Sequence, residues 1–227
     1  MGRLVSALLV LLAFTVASES YAAQPWTEGR HYFPIVPAQR TSVPAGKVEV
    51  MEVFSYGCPA CNSFEPVAQK LKKSLPANAQ MAYLPAAFQP SEDWPMFQRA
   101  YFTALALGVA ERAHEAMYDA VWKTNELAIS DPVSHRVKSP LPSIEDAARF
   151  YARTTGVKPD VFVATSKSFG VDAKIKGADA QIVTMQVDRT PTIIVNGKYR
   201  LHAESAGGYD QLIELVKFLV AKESAAG

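Results

Sequence analysis

Apolar residues follow three successive patterns along the chain, and the first pattern predicts a β-α-β unit. Residues 47–56 are rich in valine and aromatic side chains, which is typical of a buried strand. Apolar positions at helical spacing run from Phe64 to Leu75 and predict an amphipathic helix that ends at Pro76. The stretch 80–86 is again strand-like, so we expect it to close the unit.

From residue 92 to 187 the apolar positions recur at helical spacing, and the pattern predicts five helices. Ser143, followed three residues later by Asp146, is typical of a helix N-terminus, where a hydroxyl and an acidic side chain bond to free backbone N–H groups. The expected breaks between the helices are Gly108, the proline-rich stretch 131–142, Gly156 and Gly170. This part of the chain is therefore expected to be all-helical.

The C-terminal part returns to a strand pattern. Residues 192–195 and 199–202 are predicted strands, and Asn196-Gly197 between them is a strong signal for a hairpin turn. Residues 209–221 then predict a last amphipathic helix. The predicted order is β-α-β, several helices, and β-β-α, which indicates an α/β fold with a central mixed sheet and an inserted helical block.

The first 22 residues have the pattern of a secretory signal peptide. Arg3 gives a positive start, 4–16 is an apolar run of 13 residues, and Ser20-Tyr21-Ala22 resembles a cleavage site. Thirteen residues are too few to span a bilayer, which takes ~20. We therefore expect cleavage after Ala22 and an exported protein, with an uncleaved anchor as the alternative.

Composition excludes several classes of protein. The chain has 227 residues, of which 49% are hydrophobic and 20% are charged, and its net charge is +1. These values exclude a disordered polyelectrolyte, a coiled coil and a collagen-like repeat. They also argue against nucleic acid as the main ligand, because no excess of positive charge is present to neutralise phosphates.

The chain has only two cysteines, Cys58 and Cys61, and they form one C-x-x-C motif. A disulfide across two intervening residues closes almost no loop, so it would add little stability. A structural zinc site usually needs four ligands, and the sequence has neither a second C-x-x-C nor clustered histidines. We therefore expect no metal site, and a redox-active pair is the interpretation that remains.

The sequence around the motif supports redox chemistry. Gly57 allows a tight turn after the first strand, and Pro59 is suited to the first position of a helix. Cys58 would then lie at the helix N-cap, where free N–H groups and the helix dipole lower the pKa of a thiol. Cys61, one turn inside the helix, is expected to be more buried and to act as the resolving cysteine.

Three motifs together resemble the DsbA family of periplasmic disulfide oxidoreductases. They are C-P-x-C after F-S-Y-G, R-T-P-T before an apolar strand, and V-N-G-K-Y. The likeness covers nearly all of the chain after the leader, including the 133 positions from Cys58 to Pro191. It implies a thioredoxin-like fold at 23–88 and 178–227, interrupted by a helical domain at 89–177.

The resemblance also implies roles for residues around the cysteines. Thr190 and Pro191 would align the substrate, with a cis peptide bond before Pro191, although base rates for proline alone favour trans. Pro59 and Ala60 would tune the redox potential. In strongly oxidising members a histidine stands where Ala60 stands here, which is a departure from the family pattern.

Two acidic residues match acidic positions of the family, of which the first is buried in the family. They are Glu52, in the strand before the motif, and Glu65, in the helix after it, and both would tune the redox chemistry. Glu52 is a candidate proton acceptor for Cys61, whereas Tyr83 stands where the family has a lysine. The alternatives are that Glu52 points to solvent and that Glu65 occupies a solvated helix position.

The resemblance implies a monomeric periplasmic oxidase that donates the Cys58–Cys61 disulfide to newly exported proteins through a mixed disulfide. It implies reoxidation by a DsbB-like membrane quinone reductase and requires no organic cofactor. Two alternatives stay open: a reductase or isomerase with the same chemistry, and a non-enzymatic chaperone or peptide-binding module.

Overall fold

A five-stranded mixed sheet forms the centre of the computed structural model, which describes residues 26–225. The strand order is β1-β5-β4-β2-β3, with β2 and β3 parallel and the other neighbouring strands antiparallel. The strands are β1 (Phe33–Pro34), β2 (Val48–Phe54), β3 (Ala79–Pro85), β4 (Thr192–Val195) and β5 (Tyr199–Leu201). The predicted signal peptide lies outside the described residues.

The β-α-β unit is present as the pattern predicts. Helix α1 (Pro59–Ser74) connects β2 to β3, and its apolar positions are buried. All seven residues of β2 are buried, because neighbouring strands lie on both sides of it and helices cover it.

The predicted β4–β5 hairpin is also present, and its turn explains the Asn-Gly pair. Asn196 and Gly197 both have positive φ angles, 52° and 64°. A Cβ atom on Gly197 would collide with the carbonyl oxygen of Gln39, so this position needs glycine for space as well as for conformation.

Five helices connect β3 to β4, as predicted. Ser143 and Asp146 form a capping box at the start of α4, which confirms the predicted N-terminus. The five are α2 (Trp94–Ala106), α3 (Ala110–Trp122), α4 (Ile144–Thr155), α5 (Pro159–Ser166) and α6 (Phe169–Thr184), and after the hairpin follow α7 (Ala203–Ala206) and α8 (Tyr209–Ala225).

Two details differ from the sequence-based expectations. The predicted break at Gly170 is wrong, because the Ser168 side chain caps α6 and Gly170 lies in its first turn. The pattern did not indicate the two-residue strand β1 or the one-turn helix α7, which are too short to carry a periodic signal.

The apolar interior consists of two clusters. We call the first the α8 core; it packs α1 and α8 on the sheet and includes Val48, Val50, Phe64, Leu71, Ile193, Leu212, Leu215, Val216 and Leu219. We call the second the helical-segment core; it packs α2–α6 on the sheet and includes Phe54, Tyr56, Cys58, Cys61, Phe97, Met117, Tyr118, Tyr151 and Phe162.

Among the described residues, no helix combines the length and the apolarity that a membrane crossing requires.

Candidate redox site at the start of α1

The two cysteines lie at the junction of β2 and α1. Cys58 is the N-cap residue of α1 and Pro59 follows it at the first helical position, as the sequence predicts. The backbone N–H of Cys58 donates to the carbonyl of Ser55 at 3.1 Å, which closes the turn after β2. Both cysteines are free thiols in this structure; Cys58 is 5% exposed and Cys61 is fully buried.

Hydrogen bonds favour the thiolate form of Cys58. The Cys61 thiol makes the largest contribution, and Thr190 and the backbone N–H groups of Cys61 and Ala60 add to it. Burial acts in the opposite direction but is weaker, so the pKa of Cys58 is lowered from 9.0 to about 6. Cys58 is therefore mostly a thiolate at neutral pH.

Cys61 has the opposite electrostatic environment. Burial raises its pKa well above the ordinary value, and the hydrogen bond to Cys58 and the charge of Glu52 act in the same direction. The site therefore holds one thiolate and one thiol, although the two residues lie within a single helical turn.

The loop before β4 brings distant residues to Cys58. The sulfur of Cys58 lies 3.6 Å from the carbonyl oxygen of Thr190, 132 residues away in the chain. The peptide bond before Pro191 is cis, as the resemblance implies. Because Val53 pairs with Thr192 in the β2–β4 ladder, the sheet itself brings this loop to the end of β2.

Glu52 is buried beneath the cysteines. The solvent-facing alternative is wrong for this residue, which is 0% exposed, and neither of its carboxylate oxygens has a hydrogen-bond partner. Burial, followed by the charges of Glu65 and Cys58, raises its pKa well above 4.5. Tyr83 lies directly beside Glu52 in the β2–β3 ladder, so the neighbour of this carboxyl group is an uncharged phenol.

Glu65 is also buried, at 6% exposure, so the solvated alternative is wrong here as well. Its Oε1 accepts a hydrogen bond from Gln69 at 2.7 Å, and its Oε2 lies 3.8 Å from Nε2 of His114. Burial is the main reason why its pKa is raised. Two carboxyl groups with raised pKa values thus lie close enough to influence each other.

Comparisons with known proteins agree with this geometry. A family model described as "Thioredoxin" matches residues 43–215. The chain is 33% identical to the "Thiol:disulfide interchange protein DsbA" of Pseudomonas aeruginosa, covering 90% of this chain and 89% of that protein. It is 32% identical to the protein of the same name from Pseudomonas syringae pv. tomato, covering 100% and 98%. The chain belongs to the DsbA family.

Solved DsbA structures support the same assignment. The crystal structure of Pseudomonas aeruginosa DsbA aligns with a TM-score of 0.73 at 33% identity, over 88% of this chain and 96% of that one. DsbA from Xylella fastidiosa aligns with a TM-score of 0.73 at 32% identity, over 86% and 96%. DsbA membership confirms the predicted thioredoxin-like fold and the predicted class of activity, thiol–disulfide exchange.

Helix α3 contributes residues to this DsbA site that the sequence pattern did not reveal. Nδ1 of His114 lies 2.8 Å from the hydroxyl of Tyr56, and its ring lies 4.3 Å from the ring of Tyr83. Burial, followed by the charge of Lys72, lowers the pKa of His114 to about 3, so the imidazole is neutral at pH 7. A lone histidine on an amphipathic helix gives no signal in sequence for such a contact.

Two tryptophans of the helical segment fix the turn that carries Cys58. The indole Nε1–H of Trp122 donates to the carbonyl oxygen of Tyr56 at 2.8 Å. The indole of Trp94 packs so closely on Gly57 that an added Cβ would lie 2.8 Å from its Nε1.

Residues 26–225 contain no group of three or more His, Cys, Asp or Glu side chains arranged to hold a metal ion.

Proposed function

We propose that this protein oxidises cysteine pairs of newly exported proteins in the periplasm by donating a Cys58–Cys61 disulfide. The observation that carries the proposal is the asymmetry of the two thiols. A lowered pKa stabilises the Cys58 thiolate, and thus the reduced protein, so the disulfide form is a good oxidant. The expected signal peptide at 1–22 supports the export that this role requires.

The proposed reaction has two exchange steps. A substrate thiolate attacks the sulfur of Cys58, the Cys58–Cys61 bond breaks, and its electron pair leaves on Cys61. A second substrate thiolate then attacks the substrate sulfur of the mixed disulfide, and Cys58 leaves as a thiolate. Two electrons pass from the substrate to the protein. Both substrate thiol protons are released to solvent, and the proton that Cys61 gains comes from a group of the protein.

Glu52 would exchange the proton of Cys61. Its carboxyl group is buried, is close enough for its charge to raise the pKa of Cys61, and has a raised pKa of its own. It can therefore hold a proton near neutral pH, give it to Cys61 when that sulfur leaves, and accept it back during reoxidation. Glu65 would assist by raising the pKa of Glu52 further.

The remaining site residues would set alignment and potential. An extended substrate segment can pair with the backbone at Thr190 and Pro191, beside the sulfur of Cys58. Pro59 and Ala60 are exposed between the two cysteines, where a side chain can reach the reacting sulfur. The proposal includes a thioredoxin-like domain at 23–88 and 178–227, an inserted helical domain at 89–177, a monomeric state and reoxidation by a DsbB-like membrane quinone reductase.

The thiol asymmetry is tested by alkylation of the reduced protein between pH 4 and 10, with each cysteine followed by mass spectrometry. We expect a midpoint near pH 6 for Cys58 and very slow reaction of Cys61. A midpoint for Cys58 near the ~8.5 of a free cysteine would remove the basis of the proposal.

The direction of the reaction is tested with a reduced, unfolded substrate protein and one equivalent of the oxidised enzyme. We expect rapid substrate oxidation, and a reduction potential above that of glutathione. A potential well below it would indicate a reductase. The variant in which both Cys58 and Cys61 are replaced by alanine is the control, because a chaperone or peptide-binding module would keep its full effect without the thiols.

A further inference from the structure

Arg189 stands next to the proposed substrate-alignment residue, and none of the steps above uses it. It directly precedes Thr190, whose carbonyl oxygen lies 3.6 Å from the sulfur of Cys58. Its side chain is 52% exposed. A cationic group therefore lies in solvent one residue away from the point where the substrate cysteine must bind.

The guanidinium of Arg189 is mostly free. Its Nε–H donates to Asp188 at 3.1 Å, in an ion pair between adjacent residues whose acidic partner is 72% exposed. Exposed pairs of this kind are worth about 0–1 kcal/mol, so a substrate can displace them at little cost. Within residues 26–225, the structure shows no acceptor for the two terminal amino groups of Arg189. These groups form the fork that binds a carboxylate in a bidentate manner.

None of the neighbouring charged groups is placed to bind a substrate carboxylate instead of Arg189. Arg200 is engaged with the backbone carbonyls of Met185 and Gln186. Burial, followed by the charge of Arg189, lowers the pKa of His202, so that imidazole is neutral at pH 7. Glu204 is 75% exposed and lies 3.7 Å from His202, and its negative charge acts against an acidic substrate from that side.

We propose that Arg189 makes this oxidase prefer substrates with an aspartate or glutamate within two residues of the reacting cysteine. The inference rests on the proposed function, since it assumes an extended substrate beside Thr190. Each residue of an extended strand advances about 3.3 Å, so flanking side chains come within reach of a long arginine side chain. Arg189 is thus a specificity-determining residue for the exchange reaction.

The test compares peptides that differ in one flanking residue. Each peptide carries two cysteines, with Asp, Asn or Lys placed one or two residues before or after the first. Oxidised enzyme is mixed with each peptide at low and high ionic strength, and the second-order rate constant of the single turnover is measured. Each rate is divided by the rate of the same peptide with a neutral small-molecule disulfide, which removes the effect of the flanking charge on thiol reactivity.

For the unmodified protein we expect an Asp-to-Asn ratio of about three to five at one flanking position, because an exposed ion pair contributes up to about 1 kcal/mol. The ratio should fall towards one at high salt. In Arg189→Ala it should be about one at any salt concentration. In Arg189→Glu the Lys peptide should become the better substrate, and in Arg189→Lys the preference should be intermediate because the fork is lost.

Lys70→Ala is the matched control. Lys70 is also an exposed cation in a surface ion pair, with Asp210 at 2.8 Å, and lies twelve residues beyond Cys58 along α1. At 1.5 Å per residue it is about 18 Å from the site, beyond the ~10 Å screening length at 0.1 M salt. The Asp-to-Asn ratio should therefore stay at the unmodified value in this variant.

The outcomes separate the two proposals. A ratio of one in the unmodified protein, or an unchanged ratio in Arg189→Ala, overturns the role of Arg189 while the oxidase function stands. Failure to oxidise even the Asn peptide overturns the proposed function and this inference with it. A changed reduction potential in the Arg189 variants does not disturb the test, because both peptides react with the same disulfide.

Discussion

The two halves of β2 serve different purposes, although they belong to one strand. Side chains on one side of the sheet are, in order, Val48, Val50, Glu52 and Phe54, because alternate residues of a strand point the same way. The two valines belong to the α8 core, whose members are apolar. Glu52 and Phe54 lie instead among the ionisable and aromatic side chains under the cysteines.

Within this one strand, the half in the α8 core contributes to folding stability, and the half under the cysteines contributes to the reactivity of the thiols. The α8 core has the close apolar packing that provides most folding free energy. The region around Glu52 contains buried oxygen and nitrogen atoms without partners, on Glu52, Glu65, His114 and Tyr118. Such atoms cost stability, and at this site the charge of Glu52 helps to raise the pKa of Cys61.

The largest expected effect comes from the α8 core. Leu215 is fully buried there, and Leu215→Ala should lower the free energy of unfolding by about 2–5 kcal/mol, since it removes apolar contacts and leaves a cavity. Denaturant unfolding measures the loss, which should be equal in the oxidised and reduced proteins. The pKa of Cys58 should stay near 6. A shift of that pKa would mean that the two regions are coupled.

Glu52→Gln tests the half of β2 under the cysteines, through the pH dependence of the unfolding free energy. Above pH 4.5 the unfolded chain releases this proton while the folded protein keeps it, so the unfolding free energy of the unmodified protein falls as pH rises towards the raised folded pKa. The slope for one proton is at most ~1.4 kcal/mol per pH unit. The variant lacks this loss, so its stability relative to the unmodified protein should increase with pH above 4.5.

Measurements on the oxidised form isolate Glu52, because neither cysteine titrates there. Carboxyl groups that do not interact with Glu52 contribute equally to both proteins and cancel in the difference. A stability difference that is constant from pH 4.5 to 8 would contradict the buried, proton-holding state of Glu52.

Two tyrosine variants compare a hydrogen-bonded hydroxyl group with an unpaired one in the polar region around Glu52. Tyr56→Phe removes the 2.8 Å contact with His114 and leaves a buried nitrogen without its partner, which should cost about 1–3 kcal/mol. Tyr118→Phe removes a buried hydroxyl that has no hydrogen-bond partner, so it should be neutral or slightly stabilising. Thermal and denaturant unfolding of both variants decides this; equal losses would show that the two hydroxyl groups are equivalent.

The smallest expected effect is at the exposed residue Ala60. Ala60→His places a hydrogen-bond donor, and a charge when protonated, near the Cys58 thiolate, so the pKa of Cys58 should fall and the reduction potential should rise. Each unit by which the pKa falls further below the working pH corresponds to ~1.4 kcal/mol, or ~30 mV for two electrons. Glutathione equilibria and thiolate absorbance measure both quantities. If the potential does not rise, the reduction potential is set by Glu52 and the Thr190 loop and not by residue 60.

The sequence predicted those features that local chemistry specifies. The β2–turn–α1 arrangement follows from an apolar strand, Gly57 and Pro59, and the N-cap position of Cys58 follows from these. The β4–β5 hairpin follows from Asn196-Gly197. In each case the signal lies within about ten residues of the feature itself.

Other features depend on contacts between distant parts of the chain. The burial of Glu52 follows from α1 and the helical segment packing over β2, and that of Glu65 follows from the contact of α1 with α3. A strand or helix position alone leaves both alternatives open. The contacts of His114, Trp94 and Trp122 with the Cys58 turn carry no periodic signal. The misplaced break at Gly170 shows a local limit, because the capping hydroxyl of Ser168 two residues earlier starts α6 and glycine is tolerated in its first turn.

Because Cys58 and Thr190 are far apart in the chain, their contact can form only late in protein synthesis. The ribosome adds about 5–20 residues per second, so the 132 residues between them take roughly 7–26 seconds to make. During that interval β2 lacks its β4 partner, and both cysteines belong to an unfinished chain with ordinary thiol pKa values near 8.5. Until its last strands arrive, the newly made oxidase is chemically equivalent to its own proposed substrates: an unfolded polypeptide with two reduced cysteines.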